Sequence, residues 1–280
     1  MEPAIASKTA LRVALRRAAH QIHDSPVVFD DPIAVAILGA AYAEELKRTP
    51  LRSDRPFSVG LRAFLVARSR YAEDNLRRAV ETGVNQYVLL GAGLDTFAYR
   101  NPYARLRVFE VDHPATQQWK RELLQRNGIA IPERIAYTPV DFERQSLSAQ
   151  LSDAGFNFQE PAFFAWLGVV PYLTLEAFRA TLSFVSTQPH GSGLTLDYGQ
   201  PRSVLPPLER LALDSLASRV EQAGEPFQLF FTPSEIAAEL SSFHSIEDLG
   251  ALEINARYFH GRTDQLAMRG SAGRLLSAWL

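Results

Sequence analysis

From residue 84 onward, short apolar runs alternate with amphipathic stretches. No other feature of the 280 residues restricts the fold as strongly. The runs are Gln86–Leu90, Leu106–Val111, Arg134–Val140, Ala162–Leu167 and Gly193–Asp197. Between them lie helical patterns with their own punctuation. Pro114 to Asn127 opens on proline and stops at Gly128, and Ser146 to Ala154 stops at Gly155. Thr174 to Thr187 places Thr174 as N-cap and Glu176 in the first turn, where a negative charge suits the helix dipole. Strands separated by helices imply right-handed crossovers and an α/β fold, a mostly parallel sheet with helices on both faces. Burial on both faces explains why Tyr87–Leu90 is apolar throughout instead of alternating.

The flanks differ from this middle. Before residue 83 the chain reads as helices only. Leu11, Leu15, Ala18, Ala19 and Ile22 recur at helical spacing, with Arg12, Arg16 and Arg17 opposite. Pro26 ends that helix, and Asp31-Pro32 is expected to open another with Asp31 as N-cap. After a polar break, Lys47 to Pro56, a long helix runs from about Ser58 to Thr82 and stops at Gly83. Late in the chain, Thr232-Pro-Ser-Glu235 is a capping box, and Ser245–Leu249 and Ala256–Phe259 are expected to form a late antiparallel strand pair. Residues 200–226, Pro-rich and then Leu-rich, read as a helical insertion over one sheet edge. The expectation is one domain over 1–280, a helical lid over 1–82 and a core over 83–280.

The sharpest local motif is Leu89-Leu-Gly-Ala-Gly-Leu-Asp-Thr96, directly after the first strand. Gly91 permits a tight turn, and Gly93 lets a ligand approach bare backbone. Asp112, 21 positions after Gly91, ends the second strand. There a carboxylate can accept from ribose hydroxyls, with Glu110 as its competitor. Asp141 ends the third strand beside Phe142, suited to an adenine amino group and ring. Two glycines alone fit a plain turn equally well; acids at successive strand ends favour a nucleoside. A dinucleotide fingerprint would place glycine at Thr96, and Asp95 would repel a pyrophosphate. The same carboxylate would attract a cofactor bearing an amine and a sulfonium, which points to S-adenosyl-L-methionine and its product S-adenosyl-L-homocysteine.

Composition removes other chemistries. The chain has no cysteine, so disulfides, thiolate nucleophiles and Cys-ligated metals are excluded. Its 29 basic and 31 acidic residues leave a net charge of −2, which argues against a nucleic-acid partner. The longest uncharged apolar stretch, Pro161–Leu173, has 13 residues, short of the ~20 that span a membrane. Met1–Ala10 lacks a signal-peptide core, so a cytoplasmic location is expected.

Several motifs together resemble the leucine carboxyl methyltransferase-like family, in particular its bacterial branch of S-adenosylmethionine-dependent O-methyltransferases. They are Arg68-Ser-Arg-Tyr-Ala-Glu-Asp-Asn75, the Gly91–Thr96 turn, Phe109-Glu-Val-Asp-His-Pro114, Val140-Asp-Phe-Glu143, Gly168-Val-Val-Pro-Tyr-Leu-Thr174 and Leu196-Asp-Tyr198. The resemblance implies a class I methyltransferase fold with a helical cap over the cofactor. It implies that Arg68, helped by Lys8, holds the donor's carboxylate. Gly91, Ala92 and Gly93 would line its methionine part, Asp112 beside Val111 its ribose, and Asp141 with Phe142 its adenine. Relatives often carry a glutamate where this chain has Leu167, beside Trp166. A backbone carbonyl near these two residues, or Asp95, would then take the donor's amino group. The departure also argues for a small-molecule or peptide acceptor over the family's best-known substrate.

Acceptor-site candidates are His20, His23, Tyr172, Tyr198 and Arg202, with Tyr172, Tyr198 and His20 as the catalytic choices. His113 is expected to be an N-cap. The alternatives are an NAD-dependent oxidoreductase and a non-catalytic nucleoside-binding module on the same fold.

Overall fold

A computed structural model describes residues 7–48, 56–140 and 145–280. Among these, the N-terminal region contributes α1 (Lys8–His23), α2 (Ala40–Arg48) and α3 (Pro56–Glu81). The alternating middle follows as β1 (Gln86–Leu90), β2 (Arg107–Asp112), α4 (Pro114–Arg126), β3 (Ile135–Pro139), α5 (Leu147–Asp153), β4 (Ala162–Trp166), α6 (Leu175–Ser186) and β5 (Gly193–Gly199). The chain continues with α7 (Pro207–Glu221), α8 (Pro233–Glu239), β6 (Ser245–Leu249), α9 (Ala251–Tyr258) and β7 (Gly273–Trp279).

The seven strands form one sheet in the order β3-β2-β1-β4-β5-β7-β6. The first five are parallel, and β7 runs antiparallel to both β5 and β6. The order reverses between β1 and β4, so the crevice at their carboxyl ends is the expected ligand site. Both faces of β1 are buried, as its sequence requires. Val88 and Leu90 pack with Phe109, Phe164 and Leu194 on one side, whereas Tyr87 and Leu89 meet Ala72, Leu76 and Ala79 of α3 on the other.

Two expectations about the elements are corrected. Ala256–Phe259 is no strand. Residues 251–258 are helical because Glu253 accepts the Gly250 N–H (2.9 Å) and Ile254 is buried at helical spacing among Ala251 and Tyr258. The strand that completes the antiparallel pair is β7, whose Leu275, Leu276 and Ala278 are fully buried. Asp31-Pro32 opens turns and a short 3₁₀ segment, Ala36–Leu38, and no α-helix. Its carboxylate is committed elsewhere, as shown below. The glycine turn leads into a 3₁₀ segment, Phe97–Tyr99, and no α-helix separates β1 from β2. In its place α1 covers the turn. Ala14 and Ala18 pack with Leu94, Ile37 and Leu38, and the Ala10 Cβ lies close to Gly93.

Candidate active site

A cavity of about 410 Å³ opens at the carboxyl ends of β1, β2 and β4. The size suits a ligand of drug or cofactor dimensions. Its floor is the glycine turn. The Gly91 and Ala92 N–H groups both donate to the Val111 carbonyl (2.8 and 3.0 Å), which fixes the turn against β2. Gly91 has φ +71°, and a Cβ there would stand 2.3 Å from Val169 Cγ2, so only glycine fits. Asp112 accepts from the Gly93 N–H (2.5 Å) and, through its other oxygen, from the His113 N–H (2.6 Å). Burial pushes this carboxyl above its ordinary range, and the two amide bonds oppose that rise. His113 caps α4 by accepting from the Ala115 N–H (3.2 Å), as expected.

Arg68, on α3, forms the opposite wall. Its Nη1 donates to Asp197 Oδ2 on β5 (3.1 Å), and Asp197 Oδ1 accepts from the Gly168 N–H (2.5 Å). Gly168 has φ +69°, and a Cβ there would lie 2.7 Å from Arg68 Nη1. The guanidinium therefore depends on a bare backbone beside it. Leu167 lines the cavity, and the N–H of the next residue, Gly168, is the one that donates to Asp197.

The roof comes from α1 and from the segment after α7. Ser7, Thr9, Ala10, Val13, Ala14 and Arg17 line the cavity together with Gly224, Glu225 and Gln228. Glu225 ties the two together by accepting from the Thr9 N–H (3.2 Å) and from its hydroxyl. Tyr172 stands at this end, against Phe227 (ring centroids 5.2 Å apart), with its hydroxyl pushed up to about 12 by burial.

Arg17 holds α1 to the turn. Its Nη2 donates to Asp31 (2.6 Å) and to the Thr96 hydroxyl (2.7 Å), and Thr96 donates to the same Asp31 oxygen (2.7 Å). Arg100 adds a second cation to Asp31 and pairs with Glu73. Burial alone would raise the Asp31 carboxyl, but Arg17, Arg100 and Thr96 outweigh it and hold it below its ordinary value. Thr96, where a dinucleotide fold would carry glycine, is thus the hydroxyl that joins the turn to α1 and Asp31.

Sequence reasoning named several residues that the fold does not bring to the cavity. Glu110 is fully buried against Lys120 Nζ (2.8 Å) and Tyr99, so Asp112 alone of the two acids reaches the cavity. Trp166 points to the other face of β4, stacked on Phe178, because strand alternation gives the cavity to Ala165 and Leu167. Tyr198 is buried on a strand that pairing with β7 extends past it, and its hydroxyl donates to Asp248 (2.7 Å). His20 is buried with Nδ1 on Asp24 (2.8 Å), and its Nε2 accepts from the Val28 N–H (2.9 Å). His23 bonds the Leu46 carbonyl, Arg202 pairs with exposed Asp214, and Lys8 is exposed outside the cavity lining. Asp95 lines the cavity, though its Oδ1 accepts from the Phe97 N–H and its Oδ2 lies 3.7 Å from Arg17. Asp141 and Phe142 lie outside the described residues. Thr9, Glu225 and Gln228 carry no local signal of a site, since only long-range packing places them there.

Comparison with known proteins gives this geometry its family. Residues 10–186 match the leucine carboxyl methyltransferase family. The chain belongs to that family. A Bacillus subtilis (strain 168) protein named "Putative S-adenosyl-L-methionine-dependent methyltransferase YktD" is 32% identical over 286 aligned residues, 93% of this chain and 94% of that one. A Mycobacteroides abscessus protein of the same general name is 37% identical over 167 residues, 59% of this chain and 55% of its own. Among solved structures, a methyltransferase-like protein from Thermobifida fusca aligns with TM-score 0.60 at 19% identity, over 95% of this chain and 93% of that one. A DUF574 family protein from Streptomyces avermitilis aligns with TM-score 0.58 at 21% identity, over 87% and 94%. These two share the fold, the mixed seven-stranded sheet of class I methyltransferases. Within the family frame, Arg68, the glycine turn and Asp112 are the motif positions that converge on one cavity. No helix of the described residues is long and apolar enough to cross a membrane.

Proposed function

We propose that this S-adenosyl-L-methionine-dependent methyltransferase transfers its methyl group to an oxygen of a small-molecule or peptide acceptor, with a carboxylate oxygen as the nucleophile. The single observation that carries the cofactor part is the convergence of Arg68, the Gly91–Gly93 backbone and Asp112 on one cavity of suitable volume. The residues fit the donor. The Arg68 guanidinium lines the cavity with one bond spent on Asp197, leaving fork donors for a carboxylate. Asp112 keeps lone pairs for ribose hydroxyls. The wall between them is backbone and small side chains, so a flat nucleoside can approach closely.

The donor supplies the reactive methyl; the protein's share is orientation and exclusion of water. The state of the titratable side chains at the acceptor end supports a carboxylate nucleophile. Tyr172, pushed up to about 12, holds its proton at neutral pH and serves as a hydrogen-bond donor. Glu225, whose charge bears on Tyr172, is bonded to Thr9. A phenol or alcohol acceptor would need a free base. A carboxylate is already ionised and needs only to be aligned.

The test is a labelled-donor screen across carboxylates, phenols and peptide C-termini, followed by mild alkali. Methyl esters release the label, whereas methyl ethers keep it. Alkali-stable product alone would overturn the carboxylate assignment, and no product with any oxygen acceptor would overturn O-methylation.

A further inference from the structure

Outside the cavity, α1 carries a second charged feature. Arg12 and Arg16 lie one turn apart on its flank, and Arg219, in the last turn of α7, meets them. Their donors go to backbone carbonyls. Arg12 Nη1 donates to the Arg219 carbonyl (3.2 Å), Arg16 Nη1 to the Arg12 carbonyl (3.1 Å) and Arg219 Nε to the Ser215 carbonyl (3.0 Å). Among the described residues no carboxylate pairs with any of the three. The neighbouring Arg62 is neutralised by Asp24 (2.8 Å), and Glu225 is spent on Thr9. Arg16 Nε is buried with no partner. Burial and then the charges of Arg219, Arg12 and Arg62 push the Arg16 guanidinium below its ordinary value.

Converging like charges raises the free energy of the unliganded fold, most of all at Arg16, the one of the three that is largely buried; Arg12 and Arg219 are exposed. A set of guanidinium forks already held in place is what a planar or tetrahedral anion binds best. None of the three lines the cavity, but along the chain they flank its lining: Arg12 precedes the cavity residue Val13, and Arg219 leads into Gly224 and Glu225 of the roof.

We infer that Arg12, Arg16 and Arg219 form a subsite for an anionic group of the methyl acceptor, a carboxylate or phosphate ester set apart from the oxygen that is methylated. The inference rests on the methyltransferase reading and adds the acceptor's second charge to it.

Thermal melts of the full chain test it, with succinate or inorganic phosphate added against sodium chloride of equal ionic strength. The wild type should gain about 3 °C or more over the chloride control. Arg12→Gln and Arg219→Gln should each lose at least half of that gain, and the double variant all of it. Without added anion the double variant should melt at or above the wild type, because repulsion is relieved. A larger response to succinate assigns a carboxylate and a larger response to phosphate a phosphate ester; either upholds the subsite. No gain over chloride, an equal gain in the double variant, or a lower anion-free melting point in the double variant would overturn it. Calorimetry with S-adenosyl-L-homocysteine should give the same affinity in all proteins. Loss of that binding in the wild type would fault the cofactor reading instead.

Discussion

Asp197 and Arg68 show how a strand-end acid acts through another side chain. Asp197 touches the Gly168 amide and the Arg68 guanidinium, and of the two charged groups Arg68 is the one that lines the cavity. Removing the guanidinium removes charge-assisted hydrogen bonds worth about 1.5–3 kcal/mol. Arg68→Ala should therefore weaken S-adenosyl-L-homocysteine binding by about 10- to 100-fold in calorimetry. Asp197→Asn, which keeps the amide bond and loses the ionic hold, should weaken it less. Adenosine, which lacks the amino-acid tail, should bind all three proteins alike; a parallel loss of adenosine affinity would place Arg68 elsewhere. A second residue-scale prediction concerns pH. The folded Asp31 carboxyl lies below its unfolded value, so its contribution is present above about pH 4 and is lost as pH falls through the folded value. Asp24, held down by bonds from His20 and Arg62, adds to the same window. Asp31→Asn should lower the urea midpoint at pH 7 and flatten its fall between about pH 4 and 2. An unchanged acid slope would deny Asp31 that role. Asp112 and the two glycines were legible because their spacing is local. The Arg17–Asp31–Thr96 network was not, since its members are 14 and 65 residues apart and meet only after α1 folds over the turn.

At the scale of elements, the parallel strands and their helices could be read from period and punctuation alone. Each carries its own signal, such as the capping box at Thr232 or Pro114 after His113. The strand β7 carries no comparable mark. Its run Gly-Arg-Leu-Leu-Ser-Ala-Trp becomes a strand because it pairs with β5 over seven residues and with β6 over five. Residues 256–259 fit a strand pattern equally well until the Glu253–Gly250 bond and the burial of Ile254 decide for a helix. The element thus has a structural weight that its sequence does not advertise. Leu276 is wholly buried between the two neighbouring strands, so Leu276→Ala should cost about 2–5 kcal/mol, read as a loss in denaturant midpoint with unchanged m-value. Tyr71, on α3, bonds Ser277 (2.8 Å) and Glu247 (2.7 Å) across the same pair. Tyr71→Phe should cost about 1–2 kcal/mol by leaving those groups unmatched.

For the whole molecule, the departure from a dinucleotide-binding design is that α1, remote in sequence, replaces the helix that would follow β1. A helix N-terminus beneath the glycine turn would recruit a phosphate. A packed helix above it instead closes the cavity with Thr9, Val13 and Arg17, and leaves a roof that Glu225 fastens to the segment after α7. If residues 1–82 serve as a lid, ligand binding must order parts of the chain far from the turn. S-adenosyl-L-homocysteine at 100 times its Kd stabilises a one-site protein by about 2.7 kcal/mol, which raises the melting temperature by about 5–10 °C at this size. The location of the added protection is the sharper readout. Amide hydrogen exchange should slow at residues 9–17 and 224–228 as well as at 91–95. Slowing confined to 91–95 would mean that the donor contacts the turn without closing the roof, and α1 would then be a fixed wall and no lid.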